Sequence, residues 1–203
     1  VVSTRRPFRW LDYSAASMAI LFLMFAATSG GRTLLSERED GTLSRLLIMP
    51  TSGASILVGK MSGVALTGVL QVAILWGATS LIGAYWGEPL AVVIAILVLV
   101  ISATGVGALI AAWAKTPQQA GAIGTAVTLT AAALSGSFFP RMNLPAWVQR
   151  ISLATPNAWG IEIFRSLQAG ERLEAILPML SWLALLTLAY YVAALIGFRR
   201  QFE

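Results

Sequence analysis

The 203-residue chain contains no histidine and no cysteine. Without cysteine there is no disulfide framework, thiolate nucleophile or zinc finger, and the redox compartment stays open. Without histidine the commonest metal ligand is gone, and with it HExxH metalloproteases and Ser-His or Cys-His catalysis. Charge is scarce too. Only 11% of residues are charged, against about 25% in ordinary soluble domains. Hydrophobic residues make up 57%, which excludes intrinsic disorder and weighs against a soluble enzyme. Mean hydropathy is +0.77 and the isoelectric point about 10.2. The net charge is +5, but the fourteen Lys and Arg stand singly or in pairs between apolar runs. Such residues flank membrane spans and meet lipid headgroups, so membrane lipid rather than nucleic acid is the expected partner. The first residue is Val rather than Met, so the sequence is read as a processed product or part of a longer reading frame.

Five intervals carry no charge at all: 13–31, 61–87, 89–114, 116–140 and 175–198. A helix needs roughly 20 apolar residues to cross a hydrocarbon core, and a charge at its centre costs about 2.5–3.5 kcal/mol. The pattern therefore predicts an all-α membrane protein of one domain, 1–203, with five transmembrane helices near 13–33, 60–85, 89–114, 117–139 and 175–198. A signal-peptide core is the alternative for 13–31, but the run exceeds the usual 7–15 residues. Trp10, Trp86 and Trp113 fall near span ends, where indole rings suit the headgroup layer. Trp76 and Trp182 lie deeper and are expected to pack between helices. No acidic or basic residue sits at the centre of a span, which disfavours an ion-coupled secondary transporter. Small and hydroxylated residues gather in the fourth span, where they allow close helix approach. With five spans the basic residues divide seven to each side, so charge alone leaves orientation undecided.

Two connecting segments have character of their own. Residues 32–59 hold the densest charge. After Gly41 and Thr42, Leu43, Leu46 and Leu47 recur at helical spacing around Arg45, predicting a short amphipathic helix that ends near Pro50. Such a helix can lie in the interface or dock on a soluble partner; a solvated loop is the equal alternative. Residues 139–172 are broken by Pro140, Pro145 and Pro156 and read as short helices with an apolar side, either dipping into the membrane or lying on its surface. Gly59-Lys60 is not a phosphate loop. Its spacing from Gly53 is one residue too long, and Met61 replaces the required Ser or Thr. ATP, if it drives this protein, binds another chain.

At Glu37-Arg38-Glu39-Asp40-Gly41-Thr42, then Leu46-Leu47, Pro50 and Gly59-Lys60, the sequence resembles the type-two ABC transporter permeases of the drug-exporter branch. Gln71 matches a glutamine common in the next span. A second match runs through Ser135-Gly136-Ser137-Phe138-Phe139-Pro140, Leu144-Pro145, Trp147, Thr155-Pro156 and Trp159. Two separated motifs in the right order make the resemblance specific. Family members usually have six spans with an extracytoplasmic region after the first, so the chain is expected to open just before the second.

The resemblance implies a permease subunit in a bacterial inner membrane, exporting hydrophobic drug-like or lipid-like substrates. It implies no cofactor on this chain, ATP and Mg on a separate cytoplasmic ATPase, and a second permease copy or paralogue. A coupling helix would dock the ATPase. Glu37, Arg38 and Glu39 would make its charged contacts and Gly41 its turn. Thr42 and Arg45 would complete it, with Leu46 and Leu47 as its anchor. Met18, Phe22, Phe25, Thr128 and Ser135 would line the pathway. Phe138, Phe139, Pro140, Pro145 and Pro156 would belong to an extracytoplasmic gate. A non-transporting membrane scaffold or immunity protein is the alternative.

Overall fold

The computed structural model describes residues 6–39 and 53–202. Among these it is all-helical, with no strand. The helices are α1 (Trp10–Glu39), α2 (Gly53–Leu81), α3 (Pro89–Trp113), α4 (Pro117–Ser135), α5 (Ala146–Ser152), α6 (Pro156–Gln168) and α7 (Leu173–Phe202), with a 3-10 turn at Arg141–Asn143. Proline opens several of them. Pro89, Pro117 and Pro156 each stand in the first turn, where a missing N–H costs nothing. Thr116 and Thr155 cap α4 and α6, their hydroxyls accepting from the Gln119 and Ala158 amides. Gly136 closes α4 at φ +92°, a left-handed cap that glycine adopts without strain.

Among the described residues, four helices are long and apolar enough to cross a membrane: α1, α2, α3 and α7. The fourth uncharged interval does form a helix, but α4 has 19 residues and is less apolar, because Gln118, Gln119 and its glycines and threonines dilute it. It stops at Ser135, short of the expected 139. The second span also ends early, at Leu81, and residues 84–88 continue without regular structure.

The close contacts fix the depths. Leu23, Gly68 and Val100 meet half-way along α1, α2 and α3. Toward the inner end, meaning the end that carries Glu37 and Lys60, α1 and α3 approach so closely that a Cβ on Gly107 would overlap the Ala27 carbonyl, and one on Gly31 the Gly107 carbonyl. Gly124 of α4 faces Thr28, Gly121 faces Arg32, and Gly136 meets Tyr13, so α4 runs antiparallel to α1 over the same depth. The central helix is α3, whose Val92, Ala95, Leu99, Val100 and Ala103 are almost fully enclosed. It packs most extensively on α7. On the outside, α2 and α7 present Leu66, Leu70, Ile74, Leu185 and Leu188 to the surroundings.

Two tryptophans depart from expectation. Trp86 is core rather than interfacial: 2% exposed, edge-on to Phe164 at 5.1 Å, its indole N–H donating to Thr79. Trp182 points outward at 59% exposure instead of packing between helices. Trp10 and Trp113 are exposed at opposite ends of the bundle, as interfacial rings should be.

Candidate functional site

One side of α1 is left uncovered by the bundle. Met18, Phe22, Phe25, Ser29 and Arg32 follow one another at helical spacing along it, each half-buried or exposed. Alongside it runs α4, from the level of Arg32 to that of Tyr13. Between them is a cleft of about 520 Å³ lined by Phe25, Thr28, Ser29, Arg32, Gln118, Gly121, Gly124 and Thr125. Small residues open it: glycine at 121 and 124 leaves room for the Arg32 stem and for Thr28. Its walls mix apolar, hydroxyl and amide side chains, and among the described residues Arg32 is the one charged residue lining it.

The end opposite Glu37 and Lys60 is covered by the proline-broken segment, which folds back toward the middle of the bundle. From Pro140 the chain turns inward through α5, reverses at residues 153–155, and climbs outward as α6. Gly160 is wedged against Leu99 and Ile20, close to mid-span, whereas Gln168 reaches the Asp12 carbonyl at 2.7 Å near the outer end. Irregular backbone at such depth needs internal partners, and here side chains supply them. Trp159 donates to the Leu153 carbonyl at 2.8 Å and Tyr190 to that of Ala154 at 2.5 Å. Thr155 donates to the Ser152 carbonyl at 2.7 Å, and both Ser152 and Arg141 donate to that of Gln149.

A polar cluster ties this hairpin to α1. The Tyr13 hydroxyl donates to the Gly136 carbonyl at 2.5 Å, with that of Phe139 at 3.3 Å. Glu162 of α6 pairs with Arg165 and lies 3.8 Å from Arg141, so one carboxylate serves two guanidiniums. Burial pushes Arg141 below its usual value; Glu162 opposes that and Arg165 adds to it. The hydrogen bond with Glu162 raises Arg165. Both stay charged at any physiological pH. At the rim, the Asp12 carboxylate accepts from the Tyr85 amide at 2.9 Å and faces Arg9 at 3.8 Å. A hollow of about 450 Å³ opens among Tyr13, Pro140, Arg141, Trp159, Glu162 and Arg165.

This arrangement sorts the residues picked from sequence. Phe22 and Phe25 lie on the open side of α1, with Met18 half-buried beside them. Thr128 and Ser135 are fully enclosed and do not reach that face. Phe138 and Phe139 are exposed at the outer end, with Pro145; Pro140 and Pro156 are buried. Glu37 pairs with Lys60, clamping the end of α1 to the start of α2. Glu37, Arg38 and Glu39 belong to the last turn of α1 rather than to a separate helix. Gly41, Thr42, Arg45, Leu46 and Leu47 lie outside the described residues, as does the amphipathic helix read there. Sequence reasoning missed Ser29, Arg32 and Gly121 in the cleft, and Tyr13, Arg141, Glu162 and Arg165 at the cap. The spacing 18, 22, 25, 29, 32 could have found the first two; nothing local marks the cap residues.

The sequence profile of the ABC-2 type transporter family matches residues 5–169, which covers α1, the cleft and the whole hairpin. The chain belongs to the ABC-2 type transporter family. It is similar to the linearmycin resistance permease protein LnrN of Bacillus subtilis (strain 168), 32% identical over 165 residues, 80% of this chain and 43% of that protein. It is 29% identical over 191 residues to the inner membrane transport permease YhhJ of Escherichia coli (strain K12), 90% of this chain and 50% of that one. To the protein described as "probable multidrug ABC transporter permease YbhR" of the same strain it is 31% identical over 123 residues, 59% of this chain and 33% of YbhR. The chain spans half or less of the length of each of these ABC-2 relatives.

Proposed function

We propose that this chain supplies the transmembrane pathway half of an ATP-driven exporter permease. Five crossings are read, α4 being the fifth: it is antiparallel to α1 and shares its depth from Tyr13 to Arg32. The observation that carries the proposal is the uncovered stripe Met18, Phe22, Phe25, Ser29 and Arg32 beside the α4 cleft. The apolar part of the stripe, Met18, Phe22 and Phe25, suits hydrophobic, drug-like or lipid-like molecules, and the relatives' names include linearmycin resistance and multidrug permeases. A second permease copy or paralogue would complete the pathway. The side holding Glu37 and Lys60 is read as cytoplasmic, in a bacterial inner membrane. ATP and Mg would bind a separate ATPase, docking on the segment from Glu37 to Leu47.

Glu37 is engaged by Lys60 within the chain, so the docking test uses Glu39 and Arg38 instead. The test is co-purification of the full-length permease with the ATPase encoded beside it, for wild type and for Glu39→Lys with Arg38→Glu. A complex retained by the wild type and lost in the variant supports the reading. If no nucleotide-binding partner is retained by the wild type, the chain is instead a non-transporting membrane scaffold or immunity protein.

A further inference from the structure

Three enclosed polar side chains share one depth in the middle of the bundle. Ser102 of α3, Thr128 of α4 and Asn157 of α6 are each 0% exposed. The Ser102 and Thr128 hydroxyls and both amide atoms of Asn157 have no hydrogen-bond partner. Their common level follows from the contacts around them. A Cβ on Gly160 would stand 2.8 Å from Leu99 and 2.9 Å from Ile20. Since α6 runs outward, Asn157 lies about 4.5 Å deeper than Gly160 at the usual rise of 1.5 Å per residue. Ser102 lies an equal step deeper than Leu99 on α3. On the other side, Gly124 faces Thr28, so Thr128, one turn further out along α4, is level with Met24, one turn further out along α1. Met24, Ser102, Thr128 and Asn157 therefore mark one layer at the tip of the hairpin.

A hydroxyl inside a membrane helix has an easy escape: it donates to the carbonyl four residues back. Thr28 does so to Met24 at 2.9 Å and Thr104 to Val100 at 3.0 Å. Ser102 and Thr128 do not. An asparagine with neither amide atom paired is costlier still, because the surrounding hydrocarbon offers nothing. The layer holds no charge, which disfavours an ion. It is enclosed within one chain, so a second copy cannot reach it.

We propose that this level of the bundle is hydrated, ordered water satisfying the Asn157 amide and the Thr128 and Ser102 hydroxyls. Each of these groups can both accept from and donate to water, and Asn157 offers it both an amide N–H and a carbonyl. The proposal is independent of the transport reading; a chain that moved nothing would still hydrate here.

The test is X-ray radiolytic footprinting of the full-length protein in lipid nanodiscs, read by mass spectrometry. Hydroxyl radicals formed from bound water oxidise adjacent side chains, and Met24, 1% exposed, is the reporter. Met24 is expected to be oxidised several-fold faster, after correction for intrinsic reactivity, than the equally enclosed Phe164. That excess is expected to vanish in Asn157→Leu combined with Thr128→Val. Ser102→Ala, a milder change, gives the same readout by a partial loss if the double variant does not fold. Met24 as inert as Phe164 in wild type, or oxidation unchanged in folded variants, overturns the proposal.

Discussion

The Tyr190 phenol donates to the carbonyl of Ala154, joining the middle of the last helix to the tip of the re-entrant hairpin. Tyr190 is level with Gly105 of the central helix, so this bond lies far from either end of the bundle. Removing the hydroxyl strands a carbonyl in a place where few other donors exist. Tyr190→Phe is expected to cost about 1–2 kcal/mol. Amide exchange should rise across residues 153–158 while α1 and α3 stay protected. Thermal unfolding in detergent and hydrogen–deuterium exchange check this. Unchanged values in both would mean that the carbonyl has another donor.

Gly107 allows α1 and α3 to touch through their backbones, and an added methyl would meet the Ala27 carbonyl. Backbone cannot move aside as a side-chain tip can. Gly107→Ala is expected to destabilise the bundle by about 1–3 kcal/mol, the usual cost of overpacking. Gly63, in α2, has nothing within 4 Å of such a methyl. Gly63→Ala should be neutral or raise stability by up to about 1 kcal/mol through helix propensity. Melting temperatures of the pair, measured side by side, decide it; equal losses in both would remove the close-approach account.

Glu162 is shared by Arg141 and Arg165, and the Arg141 side chain is only 11% exposed. Glu162→Gln leaves two guanidiniums facing each other beside the Tyr13 hydroxyl. A loss of about 1–3 kcal/mol is expected, less than for a fully buried pair because Glu162 keeps some solvent. Adding Arg141→Gln should recover part of that loss. A double-mutant cycle measures the coupling, and strictly additive effects would show that the two residues act independently.

Lys60 and Glu37 clamp the ends of α1 and α2. Lys60→Glu is expected to lower stability by about 0.5–1 kcal/mol, since both partners are partly exposed. The exchanged pair, Glu37→Lys with Lys60→Glu, should restore it. Failure of the exchange to rescue would indicate that Glu37 is needed for a partner other than Lys60.

Much of the architecture was legible because charge is so expensive in hydrocarbon. Every uncharged interval formed helix, but the bounds moved: α1 runs on to Glu39 and α2 begins at Gly53, while α2 stops at Leu81 and α4 at the Gly136 cap. The prolines at 140, 145 and 156 correctly broke their segment into short helices. The tryptophans were read less well. Trp86 and Trp113 sit in similar sequence surroundings near span ends, yet Trp86 finds Phe164 and Thr79 while Trp113 stays exposed. Among the residues expected to line a pathway, Phe22 and Phe25 lie on the open face, whereas Thr128 and Ser135 turn inward. Helical spacing says which residues share a face but not which neighbour covers it.

By itself the sequence determined that this chain is a membrane-embedded helical bundle of the ABC-2 kind, through its charge gaps and its two motifs. Only the tertiary structure decided how deep residues 139–172 reach. Their composition suits a surface loop as well as a buried hairpin. The depth is set by contacts with distant parts of the chain: Gly160 against Ile20 and Leu99, Tyr190 on Ala154, and Gln168 on Asp12. Such contacts leave no local signature, because Ile20, Leu99, Tyr190 and Asp12, which fix the depth, lie on other helices.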